Sequence, residues 1–97
     1  MSAYLLKPCK GSKGFQAVTD RNMKLKLNDL EDRLVGHGFT PKVCVKIIMV
    51  MQKDDLEFTI YPSGKFLIKP SISDMDLSQE RAEIEANSLL DIFHNIT

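Results

Sequence analysis

The stretch from Thr40 to Lys69, TPKVCVKIIMVMQKDDLEFTIYPSGKFLIK, decides how this chain is read. It divides into three apolar runs separated by turn chemistry. Val43–Met51 (VCVKIIMVM) is rich in β-branched residues, which favour strands. Leu56–Tyr61 (LEFTIY) and Lys65–Lys69 (KFLIK) alternate apolar and polar side chains with a period of two. The polar segment Gln52–Asp55 reads as a turn. Pro62-Ser63-Gly64 reads as a tight hairpin, because proline pre-sets the φ of a type I turn and glycine takes the left-handed bulge position. The expectation is three consecutive antiparallel strands.

Alternation assigns the faces, since successive side chains of a strand point to opposite sides. Phe58 and Ile60 share one side of the second strand, and Phe66 and Ile68 one side of the third. Taking Val43–Met51 as one strand puts Val45, Ile47 and Met49 inside and Cys44, Lys46, Ile48 and Val50 on the open side. The open face then carries Lys46, Ile48, Val50, Glu57, Thr59, Tyr61, Lys65, Leu67 and Lys69. A contiguous apolar patch rimmed by lysines suggests a binding surface. The alternative is that another segment, such as FQAVT (15–19), or a second protomer covers it.

Working outward, two helices supply the lid that the inner face needs. A short one starts at Asn28, with Glu31 placed as a capping-box carboxylate, Leu30, Leu34 and Val35 on one side, and Gly36 and Gly38 ending it. A longer one spans Leu77 to Phe93, with Asp76 as N-cap and Ala82, Ala86, Leu89, Leu90 and Phe93 as its core stripe. Ile84 points outward. Residues 1–22 hold two short strand-like runs, YLLKP and FQAVT, around the loop PCKGSKG. That segment reads as a basic N-terminal arm or an extra strand, ahead of an α+β domain over 23–97. The loop lacks the spacing of a phosphate-binding glycine loop.

The 97 residues, 43% of them hydrophobic, suit one domain with one core. No run approaches a membrane span, and the N-terminus has no apolar stretch like a secretory signal, so no membrane partner is expected. Cys9 and Cys44 read as free thiols of a reducing compartment, which makes the cytoplasm the expected location. Net charge is zero, yet it is split. Met1–Lys46 holds nine basic residues against four acids, and Pro70–Thr97 one base against six acids. Such a chain can present one basic and one acidic surface. His37 lies between glycines and His94 near the C-terminus, neither within a nucleophile or metal-ligand pattern. Asp54-Asp55 reads as a solvated turn. The chain reads as a non-enzyme with no cofactor and no metal.

The order of these elements resembles one repeat of the TATA-box-binding protein family. Phe39-Thr40-Pro41-Lys42, VCVKIIMVM, EFTIY, Ser63-Gly64-Lys65, FLIK and the helix from Leu77 carry the resemblance, which covers Asn28 to the C-terminus. It implies a single β-α-β-β-β-α half-saddle, a curved antiparallel sheet covered on one face by two helices. In that family two repeats grip the minor groove and wedge aromatics between base steps. By position, Tyr61 stands at a wedge aromatic, Leu67 at a groove-contacting aliphatic and Lys65 at a backbone-facing lysine. The other wedge aligns with Cys44, a threonine with Lys69, a glycine with Pro70 and an arginine with Val50. With one repeat present, a homodimer would be needed to rebuild a saddle. The expected function is a binding module. It engages DNA or RNA on the open face or, as the alternative, serves protein–protein interaction or homodimerisation.

Overall fold

The computed structural model describes residues 4–8, 14–19, 24, 26–71 and 77–96. Its elements run β1 (Tyr4–Pro8), β2 (Phe15–Thr19), α1 (Leu27–Gly36), β3 (Thr40–Cys44), β4 (Met49–Lys53), β5 (Leu56–Ile60), β6 (Phe66–Pro70) and α2 (Gln79–Ile96). The fold is α+β, with six antiparallel strands in the order β1-β2-β6-β5-β4-β3. The expected element order of β-α-β-β-β-α is thus corrected to β-β-α-β-β-β-β-α. The runs YLLKP and FQAVT form a hairpin that extends the sheet beside β6, so FQAVT widens the open face and does not cover it.

The second correction lies inside VCVKIIMVM. It is not one strand: Cys44 pairs with Met49, and the Val45 N–H donates to the Ile48 carbonyl at 3.0 Å. The run therefore folds back over a two-residue tip, Lys46-Ile47. Residues that pair across such a tip have numbers of opposite parity, so the face assignment inverts on its far side. Met49 and Met51 are buried, while Val45 joins Ile48 on the open side and Cys44 joins Met49 on the helix side. Ile47, expected inside, is 74% exposed at the tip.

The core lies between the sheet and the two helices. Phe58, Ile60, Phe66 and Ile68 are fully buried, as the period-two pattern requires, against Ala82, Ala86, Leu89, Leu90 and Phe93 of α2. Edge-to-face ring contacts fix the packing, Phe66 on Phe93 at 5.7 Å and Phe39 on Phe58 at 5.1 Å. From α1 come Leu27, Leu30 and Leu34, whereas Val35 stays exposed.

The helix ends follow local rules with shifted residues. Lys26, with extended backbone and no side-chain cap, precedes α1, so Asn28 is not its N-cap. At the other end the Gly38 N–H donates to the Val35 carbonyl and the Phe39 N–H to that of Leu34. Gly38 sits at φ +94, and Phe39 folds onto the core. This is a Schellman ending, in which the left-handed residue must be Gly38; Gly36 is still helical. For α2, the expected cap Asp76 lies outside the described residues. Ser78 performs the cap, its Oγ accepting from the Arg81 N–H at 3.2 Å.

Two further turns hold the meander. Between β5 and β6 the Gly64 N–H donates to the Tyr61 carbonyl and the Tyr61 N–H to that of Lys65, with Gly64 at φ +96. Between β4 and β5 Asp54 takes φ 57, a left-handed position that aspartate tolerates better than most residues. Asp55 is not merely solvated. Arg81 donates to both its carboxylate oxygens, Nη2 to Oδ1 at 2.6 Å and Nη1 to Oδ2 at 3.3 Å, tying this turn to the start of α2.

Candidate binding face

The sheet has one face under the helices and one face bare. Paired residues of antiparallel strands share a side, so the register gives the bare face row by row. The middle row reads Val43, Val50, Thr59, Leu67, Gln16 and Lys7. Toward the Lys46-Ile47 tip lie Val45 and Ile48, then Tyr61 and Lys65, with Val18 beyond them. Toward the opposite end lie Thr40, Gln52, Glu57 and Lys69. Val43, Val45 and Val18 are 45%, 49% and 37% exposed, while Ile48, Val50, Tyr61 and Leu67 are half-buried by their neighbours.

Of the nine residues that the sequence places on the open face, Val50, Thr59 and Leu67 are direct neighbours in one row, and Glu57 pairs with Lys69. Tyr61, Lys65 and Lys69 flank that row, and Ile48 falls opposite Tyr61, one step beyond the Met49–Ile60 pair. Lys46 is at the hairpin tip and not in a strand, a consequence of the fold-back. Val43, Val45, Gln16 and Lys7 belong to the same surface and were missed. Parity across the tip would have found the first two, and the docking of the N-terminal hairpin supplies the others.

The charges on this face are specifically engaged. The Glu57 carboxylate lies 3.5 Å from Lys42 Nζ and 3.4 Å from Lys69 Nζ. The Lys65 ammonium stands 5.4 Å from the centre of the Tyr61 ring, a cation–π distance. Among the described residues of these strands, Glu57 is the one acid facing Lys7, Lys42, Lys65 and Lys69. The helix layer has the opposite sign. Asp29, Glu31 and Asp32 outnumber Arg33 on α1, and Glu80, Glu83, Glu85 and Asp91 outnumber Arg81 on α2. Among the described residues the two layers thus differ in sign, although acidic α1 falls in the basic half of the chain.

Cys44, aligned by resemblance with a wedge aromatic, faces α1, where its thiol meets the Asn28 Oδ1 at 3.9 Å. Burial pushes this thiol above its ordinary value of 9.0, helped by the nearby charge of Glu31 and a hydrogen bond to it, so it stays protonated at neutral pH. His37 is exposed in the C-cap of α1, its backbone N–H donating to the Leu34 carbonyl. Among the described residues no group of three histidine, cysteine or acidic side chains converges on a metal-binding point, and no helix is long and apolar enough to cross a membrane. Compared with known protein families, curated proteins and solved structures, the chain has no match.

Proposed function

We propose that the chain is a non-catalytic binding module whose open sheet face is its contact surface, with a protein as the partner. One observation carries this reading: aliphatic side chains cluster on the β3–β4 side of the bare face and reach Leu67 on β6, with lysines around them. Antiparallel sheets with one face in water normally turn polar residues outward. Here Val43, Val45, Ile48, Val50 and Leu67 stand there together. An apolar patch with a charged rim is the composition of a protein-interaction surface.

A second reading, nucleic-acid binding on the same face, is favoured by a separate observation. Four lysines of these strands confront one acid, and Tyr61 offers a ring among them. The resemblance to a repeat of the TATA-box-binding protein family supports that version at Tyr61, Leu67 and Lys65. It loses support at Cys44, which is turned to the helix side.

The two readings separate by titration of the labelled protein with a mixed DNA duplex and with single-stranded DNA, alongside its mass in solution. Binding of nucleic acid predicts amide shifts over Thr59–Lys69 and a steep loss of affinity with salt. A protein-docking face predicts no such shifts. If Leu67→Glu left every partner interaction and the mass of any self-associated form unchanged, the open face would not be the contact surface.

A further inference from the structure

We infer that the open face takes one kind of occupant: an acidic amphipathic helix from a partner protein. This rests on the open face being the contact surface and adds what sits on it. The sheet already carries one helical layer, and its free side repeats the demand that the buried side satisfies. An aliphatic sheet surface is completed by the apolar stripe of a helix. Val43, Val50, Thr59, Leu67 and Gln16 make a strip across five strands, about 19 Å at the usual strand spacing. That matches the length of about 13 helical residues.

Charge selects the partner. Lys65 just before β6, Lys69 near its end, Lys42 on one edge strand and Lys7 on the other outnumber Glu57, which pairs with Lys42 and Lys69. A helix flanked by glutamates or aspartates therefore meets net opposite charge. A second copy of this chain fits less well. Two such faces bring lysines against lysines, and the apolar stripe of the acidic helix α2 is already buried. Pairing of a strand along the β3 edge is obstructed by Pro41 and by the bulge between Pro41 and Val43. Among the described residues of this face, single-stranded nucleic acid finds one ring for base stacking, Tyr61, and that ring lies by the Lys65 ammonium.

The test titrates the whole labelled chain with a capped peptide of about 14 residues, leucine at i, i+3, i+4 and i+7 and glutamate elsewhere. Controls are a permuted peptide of the same composition and single-stranded DNA of mixed sequence. The expected result is helix gained by the first peptide on binding, with amide shifts at Val50, Thr59 and Leu67. Affinity should be at least about tenfold weaker for the permuted peptide and for Leu67→Glu. Lys65→Glu, a milder change, should weaken binding several-fold and keeps the test decisive if Leu67→Glu does not fold. Equal binding of both peptides, or shifts confined to α1 and α2, overturns the inference. Shifts on the open face from DNA but not from the peptide also overturn it, while leaving that face as the contact surface. If no probe moves those amides, this inference falls and the nucleic-acid reading with it, while the protein-docking face is judged separately by the Leu67→Glu test on partner interactions and mass.

Discussion

Gly36 and Gly38 differ in one respect only. A Cβ at either would meet nothing within 4 Å, yet Gly38 stands at φ +94 and Gly36 is helical. Gly36→Ala should therefore stabilise the fold by roughly 0.5–1 kcal/mol, because alanine loses less backbone freedom in a helix. Gly38→Ala should destabilise it by about 1 kcal/mol or more, since the Schellman ending requires the left-handed conformation. Chemical denaturation of the two variants checks this, and a common sign for both would contradict the assigned ending. Sequence marks both glycines as stop signals. What distinguishes them is the pair Leu34 and Phe39, both buried, which brackets Gly38 as the turning point. The same local logic made the Pro62-Ser63-Gly64 hairpin legible: its chemistry is complete within four residues.

At the scale of elements, local chemistry runs out at the Lys46-Ile47 tip. The β4–β5 and β5–β6 hairpins spend Asp54-Asp55 and Pro62-Ser63-Gly64 on turning, residues that suit turns for identifiable reasons. This tip has none of them, and a nine-residue run with eight apolar side chains hides the fold-back. By parity the fold-back reverses the sides of Cys44 and Val45. Phe58, Ile60, Phe66 and Ile68 are buried as expected, because their strands alternate without interruption. The N-terminal hairpin pairs with β6 through β2, and Gly14 just before β2 lies against β6. A Cβ there would lie 2.7 Å from the Ile68 carbonyl oxygen, which is backbone and cannot yield. Gly14→Ala should loosen β1 and β2 while α2 keeps its protection, as read by amide hydrogen exchange.

The link between the β4–β5 turn and α2 has a pH signature. Hydrogen bonds from Arg81 hold the Asp55 carboxyl below its ordinary 3.8. A depressed folded-state value means the contribution to stability is present above about pH 4 and fades as pH falls through the lowered value. Arg81→Gln should flatten the acid limb of the stability profile and leave the neutral-to-basic limb unchanged in shape. Denaturation midpoints between pH 2 and 7, on the scale of ordinary carboxylate titration, check this.

Across the whole molecule, a net charge of zero conceals two layers of opposite sign. Helices that outnumber their bases with acids cover one side of the sheet, and lysines border the other. A neutral total is thus a poor guide to what each surface attracts, because the field near a face follows local charges and is screened within about 8–10 Å at moderate salt. Glu57 is the point where this can be tested with one substitution. It sits between Lys42 and Lys69, and its exposed ion pairs contribute little to stability. Glu57→Gln should leave the denaturation midpoint nearly unchanged while freeing both ammonium groups. Affinity for an anionic probe on this face, the acidic peptide or single-stranded DNA, should rise a few-fold at low ionic strength. That gain should shrink as salt is added, because the freed charges act through a screened field. Titrations of the parent and the variant at two salt concentrations measure both effects. An affinity that does not respond would place anionic partners somewhere other than the lysine-bordered face.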